Sequence, residues 1–127
     1  MTINFSEDHK FENISENLKF VRNEIADAAI KSGRNDNDVR LMAVTKTVSV
    51  EHINYAIQKC GVNLIGENKV QEYLSKKDNL LLDGVEKHLI GHLQTNKVKK
   101  ILPEVDMIQS VDSLHLAQAI SNEAEKL

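Results

Sequence analysis

Apolar positions in this chain follow two rhythms that alternate along it. Phe11, Ile14, Leu18, Val21, Ile25 and Ala28 recur every three or four residues, which predicts a long amphipathic first helix. Gly33 is its stop, and Arg34 to Asp38 form a polar connector. Leu41 to Val44 is then an unbroken apolar run, the pattern of a strand covered on both faces. Ser49 caps a second helix whose buried stripe is Ile53, Ala56, Ile57 and Cys60, and Gly61 closes it.

From there one unit repeats. Val62 to Ile65 is a short apolar strand ending in Gly66-Glu67-Asn68, followed by a helical stretch with Val70, Tyr73 and Leu74 on one face. Asn68 with Gln71 three residues later has the form of a capping box. Lys87 to Ile90 is a third strand ending in Gly91-His92-Leu93-Gln94. Thr95 caps a short helix that turns Val98, Ile101 and Leu102 inward, and Pro103 ends it. Val105 to Gln109 is a fourth strand, and Asp112 or Ser113 caps a last helix carrying Leu116, Ala117, Ile120, Ala124 and Leu127. The strands fall near 40–45, 62–66, 87–91 and 105–110. Alternation of this kind predicts parallel strand–helix units in an α/β fold. No Gly-x-Gly-x-x-Gly follows any strand, so a dinucleotide fold has no support. A complete barrel takes eight units and about 250 residues. The expectation for these 127 residues is a single domain, 1–127, with four units preceded by a long helix: half of a barrel.

Composition changes this picture little. Hydrophobic residues make up 41% and charged residues 28%, an ordinary globular balance. A net charge of −3 argues against nucleic acid and anionic membrane as partners. No apolar run reaches the roughly 20 residues of a membrane span. Met1 to Lys10 is polar and acidic, unlike a signal or transit peptide. Cys60 is the one cysteine, which fits a reducing cytoplasm.

Candidate chemistry sits after the strands. Parallel strands gather Thr45/Lys46, Glu67/Asn68, His92/Gln94 and Ser110/Asp112 on one rim, beyond the carboxyl ends where such folds keep their sites. Lys46 leaves an apolar strand, a place where burial can push an amine toward the neutral nucleophile. Asn68, Thr95 and Asp112 also serve as helix caps, and His92 as a turn residue. His88 and His92 are four apart, but in a strand that spacing spans over about 10 Å and does not make a metal pair. Lys97, Lys99 and Lys100 are read as a solvated basic surface.

Together the strand ends spell Ala-Val-Thr-Lys-Thr (43–47), Gly-Glu-Asn-Lys-Val-Gln-Glu (66–72), His-Leu-Ile-Gly-His-Leu-Gln-Thr-Asn-Lys (88–97) and Ile-Gln-Ser-Val-Asp-Ser (108–113). From about Phe11 onward the chain resembles the pyridoxal phosphate homeostasis protein family, single-domain barrels similar to the N-terminal domain of alanine racemase. The resemblance implies a partial TIM (β/α) barrel and pyridoxal phosphate as cofactor. It implies Lys46 as the Schiff-base lysine, with Asn68, His92 and Thr45 facing the cofactor. It also implies a role in intracellular vitamin B6 and amino-acid homeostasis without turnover, by a protein monomeric at full family length. Family members run on for roughly another hundred residues, as barrel length requires, and those hold the phosphate-gripping loops. Two other readings stay open: a racemase-like enzyme, needing a second acid or base across the cofactor, commonly a tyrosine, where the only tyrosines, Tyr55 and Tyr73, fit helices better than strand ends; and a fragment without independent activity. Self-association is a further expectation for this chain.

Overall fold

The alternation of stripes and runs folds into the expected layers. The structure is a computed structural model and describes residues 5–127, with side chains from Phe11 onward. In order it contains α1 (Phe5–Lys31), β1 (Ala43–Val44), α2 (Val50–Cys60), β2 (Leu64–Glu67), α3 (Val70–Lys76), β3 (Glu86–Leu89), α4 (Val98–Ile101), β4 (Met107–Ile108) and α5 (Leu114–Ala124). Short 3-10 turns fill several of the connections.

The four described strands are parallel and stand in the order β1-β2-β3-β4. Val44, Gly66, His88 and Met107 lie side by side across the sheet. Side chains alternate between faces along a strand. On one face Ala43 and Ile65 pack with Ile14 and Leu18 of α1 and Ala56 of α2, while Leu89 and Ile108 pack with Tyr73, Ile101 and Leu116 of α3, α4 and α5. On the other face Val44 and Met107, the outer members of that row, are 48% and 51% exposed. Sequential order with helices on one face is the wall of a partial TIM barrel, whereas a doubly wound sheet reverses its order and covers both faces. β1 and β4 are shorter than expected because each has one neighbour. β1 nevertheless keeps its line past its end, where Thr45 N–H donates to Gly66 O at 3.0 Å.

The first helix departs from its predicted stripe by one position. Val21 and Ala28 are exposed, and Ala29 is buried in their stead. The face that packs runs Phe11, Ile14, Leu18, Arg22, Ile25, Ala29, at the spacing of one helix face. Arg22 belongs to it because its guanidinium donates to Cys60 O, the orphan carbonyl at the end of α2, where a cation also meets the helix dipole favourably. Phe11 stacks on Tyr55 of α2 with ring centroids 4.7 Å apart. The chain then leaves α1 through Gly33 at φ 78, with Arg34 N–H donating back to Ala29 O.

Local signals at the other helices hold in part. Ser49 accepts from His52 N–H and Ser113 from Leu116 N–H, so both are side-chain caps and Asp112 is not. The N-cap of α3 is Lys69 without a side-chain bond, so Asn68 forms no capping box. Thr95 opens a 3-10 turn instead of capping α4, and Pro103 lies inside a further turn, Leu102–Glu104, that extends it. Ala124 and Leu127 of the last stripe are exposed. Among the described residues, no helix is long and apolar enough to cross a membrane.

Leu89 is fully buried in the larger cluster, so Leu89→Ala should destabilise the fold by about 2–5 kcal/mol in urea melts, whereas the half-exposed Val44→Ala should cost under about 1 kcal/mol. Burial, with Glu104 and Glu67 nearby, pushes the Tyr73 phenol from 10.0 up to about 12. The unfolded chain then ionises first as pH rises, so stability should fall from about pH 10 upward, and Tyr73→Phe should flatten that slope.

Candidate functional site

Parallel pairing in sequential order sets every strand's carboxyl end on one rim, and three of the sequence-predicted residues stand there. Lys46 lies two positions past Val44 and Asn68 two past Gly66, and those two strand residues are register partners. His92 lies three past Leu89, the end of β3. Lys46 and His92 are exposed, and Asn68 is half-buried. Asn68, His92 and Gln94 line a cavity of about 330 Å³ together with Lys69, Val70, Gln71 and Lys97. That size lies at the low end of the range of about 300–1,000 Å³ usual for ligand sites. Lys46 and Thr45 are not among its lining residues.

Asn68 is held by shape. A Cβ on Gly91 would lie 2.1 Å from the Asn68 carbonyl oxygen and 2.2 Å from its Oδ1. The glycine therefore lets the β2 and β3 loops close on each other and seats the Asn68 amide. Asn68 stands one residue before Lys69, the N-cap of the helix it was expected to cap. Around it are two cations, Lys69 and Lys97. Lys97 is half-buried here, unlike Lys99 and Lys100, so the basic run is not uniformly a solvated surface. His92 Nδ1 faces Asp112 Oδ2 at 3.7 Å across the next loop. An amide, an imidazole and two ammonium groups around an open cavity, with a further amine on the rim, form a donor set suited to an anionic, carbonyl-bearing ligand.

Thr45 points elsewhere. It is buried, and its hydroxyl donates to Glu67 Oε1 and approaches Gly66 O at 3.3 Å. Glu67, 2% exposed, pairs with Lys76 Nζ at 2.8 Å. Lys76, itself 8% exposed, also donates to Thr45 O at 2.8 Å and Glu72 Oε2 at 2.7 Å. Glu72 Oε2 in turn accepts from Thr47 N–H at 2.7 Å. Burial works to discharge Lys76, but its bonds to Glu67 and Glu72 outweigh that and leave its pKa above the usual 10.5. Lys76, together with Thr47 N–H, holds the Glu72 carboxyl below 4.5. None of this network beyond Thr45 and Glu67 was singled out from sequence, because Glu72 and Lys76 read as an ordinary i,i+4 pair on a helix surface.

Deeper in the barrel wall a second polar chain crosses the uncovered face. Arg40 Nη1 donates to Glu86 Oε2 at 2.8 Å, and the same oxygen meets His88 Nε2 at 2.8 Å. Gln109 Nε2 donates to His88 Nδ1 at 2.8 Å, so Nε2 carries the imidazole proton. Both nitrogens of His88 are thus committed. The bonds from His88 and Arg40 hold the Glu86 carboxyl below its usual value. Another cavity, about 370 Å³, lies before the strands, lined by Arg22, Asp36, Asn37, Arg40 and Asn63 among others. It is the larger, but it sits at the amino ends, away from where parallel sheets of this kind place their chemistry.

No family model matches the chain. It is 40% identical over 114 residues to the pyridoxal phosphate homeostasis protein of Aquifex aeolicus, covering 90% of this chain and 50% of that one. It is 35% identical over 113 residues to the protein of the same name from Escherichia coli K12, covering 87% and 48%. Among solved structures it is similar to a protein of unknown function from Bifidobacterium adolescentis, at 37% identity and TM-score 0.87, covering 98% of this chain and 53% of that one. It is also similar to PipY of Synechococcus elongatus solved with PLP bound, at 36% identity and TM-score 0.67, covering 80% and 49%. The chain is thus a relative of the pyridoxal phosphate homeostasis proteins, and it spans about half the length of the curated relatives it matches.

The buried ion pairs give this site a defined pH response. Glu72's share of stability is present above its ordinary value of 4.5 and lost as pH falls through its lower folded value. Lys76's share is present below 10.5 and lost as pH rises through its raised folded value. The stability difference between the natural chain and Glu72→Gln should therefore be flat from about pH 6 to 9 and shrink below about pH 4. A difference that grows on acidification contradicts the pairing.

Proposed function

We propose that this chain forms the aldehyde-capturing face of a pyridoxal phosphate binding protein, one that holds the cofactor for intracellular vitamin B6 homeostasis and turns over no substrate. The observation carrying this is the cavity that joins Asn68 and His92 on the same strand-end rim as Lys46, in a relative of PipY, solved with PLP bound. When bound, the cofactor supplies an aldehyde whose carbon joins a neutral lysine amine with loss of one water.

Lys46 supplies that amine from an exposed position on the rim. The Asn68 amide, seated on Gly91, offers a donor and an acceptor. His92, with Asp112 facing it, offers an imidazole whose ring nitrogens can bond the ligand. Lys69 and Lys97 present positive charge to the ligand's anionic end. Thr45 does not line the cavity; its hydroxyl is committed to Glu67 beneath the rim. Phosphate sites of such barrels usually come from loops after the seventh and eighth strands, outside the four units described. The two lysines are therefore a partial substitute, and each missing charge-assisted contact costs about 1.5–3 kcal/mol of affinity.

The racemase-like alternative has less support. It needs an acid or base facing the cofactor, and Tyr55 is stacked on Phe11 while Tyr73 is buried with its hydroxyl toward Glu104 O. A cytoplasmic setting is supported by the single free Cys60. Self-association of the 127-residue chain is supported by β1 and β4, each with an unpaired edge, and by the exposed Val44, Met107 and Val111.

Borohydride treatment of the chain with pyridoxal phosphate should fix a pyridoxyl group on Lys46, located by peptide mass spectrometry. Lys46→Ala should lose it, and Asn68→Ala or His92→Ala should weaken uptake about tenfold. Label spread evenly over Lys97, Lys99 and Lys100, unchanged in Lys46→Ala, would overturn the reading. Sedimentation should show a weight-average mass rising with concentration. A single 14.3 kDa species at all concentrations would remove self-association.

A further inference from the structure

The two peptide groups on either side of the Lys46 Cα are both gripped by one ion pair, the buried Lys76 with the partly exposed Glu72. Thr45 C=O belongs to the peptide leading into Lys46, and it accepts from Lys76 Nζ at 2.8 Å. Thr47 N–H belongs to the peptide leading out, and it donates to Glu72 Oε2 at 2.7 Å. Lys76 and Glu72 are bonded to each other at 2.7 Å, one turn apart on α3. With both peptide planes fixed, the direction of the Lys46 Cα–Cβ bond is fixed. Its long side chain keeps its own rotamers.

The grip works against the local preference of the chain. Thr47 has φ 59, the left-handed region, and among the described residues it is the one non-glycine with positive φ. A β-branched residue there is strained by about 1–3 kcal/mol and persists only where surrounding contacts over-determine it. The contact available is a charge-assisted bond from its own N–H to Glu72. Thr47 Oγ1 adds a bond to Lys46 O. Glu67 completes the anchor: buried and paired with Lys76, it also accepts from the Thr45 hydroxyl.

We propose that Lys76, acting with Glu72, is the positioning residue of the amine-bearing turn: it touches no ligand and sets the direction from which Lys46 presents its amine. This deepens the proposed function and rests on it only where Lys46's chemistry is concerned. The backbone clamp is a separate claim and is tested separately.

Amide hydrogen exchange measured by NMR on the 127-residue chain reads the clamp without any ligand. Thr47 N–H should be protected in the natural chain. In Glu72→Gln its protection should fall about tenfold while the amides of β2 and β3 keep theirs. Lys76→Met should do the same, and Lys76→Arg should restore part of it. Since Lys76→Met leaves Glu67 buried without its cation and can unfold the chain, Glu72→Gln, whose site is partly exposed, decides the point. An unprotected Thr47 amide in the natural chain, or protection unchanged in Glu72→Gln, overturns the clamp.

The second readout is the initial rate of borohydride-trapped pyridoxyl labelling at Lys46 against that at the exposed Lys99 in the same molecule, taken from pH 6 to 9. Glu72→Gln should lower the Lys46 to Lys99 ratio about tenfold and leave Lys99 labelling unchanged. A ratio unchanged while Thr47 exchange rises would leave the clamp standing but remove its positioning role. No labelling of Lys46 in the natural chain, with Thr47 protected, would reject the proposed function and keep the clamp.

Discussion

One ammonium group, Nζ of Lys76, ties together the end of β1, the end of β2 and the helix α3. It donates to Thr45 O and Glu72 Oε2 and pairs with Glu67 Oε1 at 2.8 Å. Taking a lysine charge out of water costs several kcal/mol, which paired charges and hydrogen bonds must offset. Two carboxylates, one buried and one partly exposed, and a carbonyl do so here. A buried cation of this kind adds little net stability against an apolar isostere. What it contributes is geometry, since three elements must meet at one atom for the charge to be tolerated. The backbone that follows β1 is consequently set by α3, a helix more than twenty residues further along the chain.

The two faces of the sheet divide the work. The helix-covered face carries Ile65, Leu89 and the network around Lys76, and there the chain is packed and dry. The other face carries the chain Arg40–Glu86–His88–Gln109 and the exposed Val44 and Met107. Rim residues Lys46, Asn68 and His92 stand above that open face and are borne by loops whose roots lie in the packed layer. Loops rooted in a packed layer are where barrels usually carry their sites. Gly91 shows how local the control is: a Cβ there would collide with the carbonyl and the side-chain oxygen of Asn68.

The sequence made the units legible because apolar runs and helical stripes carry their own period, and parallel order followed from their alternation. Strand ends followed from the runs, and with them Lys46, Asn68 and His92 as rim residues. What was not legible depends on contacts between distant segments. The stripe of α1 includes Arg22, a polar residue by type, whose exposed guanidinium ends on the carbonyl of Cys60. Asn68 has the residue type of a cap, but the helix starts one residue later, with Lys69 at its N-cap and Asn68 packed against Gly91. Lys97 looks like one of three surface lysines, yet it lines the cavity together with Asn68, Lys69 and Gln71 from the segment after β2. Lys76 was silent for the same reason: its partners lie on three elements, and a helical Glu–Lys pair looks alike whether solvated or buried.

The proposed function puts ligand chemistry on the carboxyl-end rim and not in the larger cavity at the amino ends of the strands. Backbone amide shift changes, followed by NMR while pyridoxal phosphate is titrated into the chain, decide between the two. Changes should centre on residues 45–47, 68–71 and 91–97, with the amides of Asp36, Asn37, Arg40 and Asn63 unmoved. Changes centred on those four residues, with the rim silent, would contradict it.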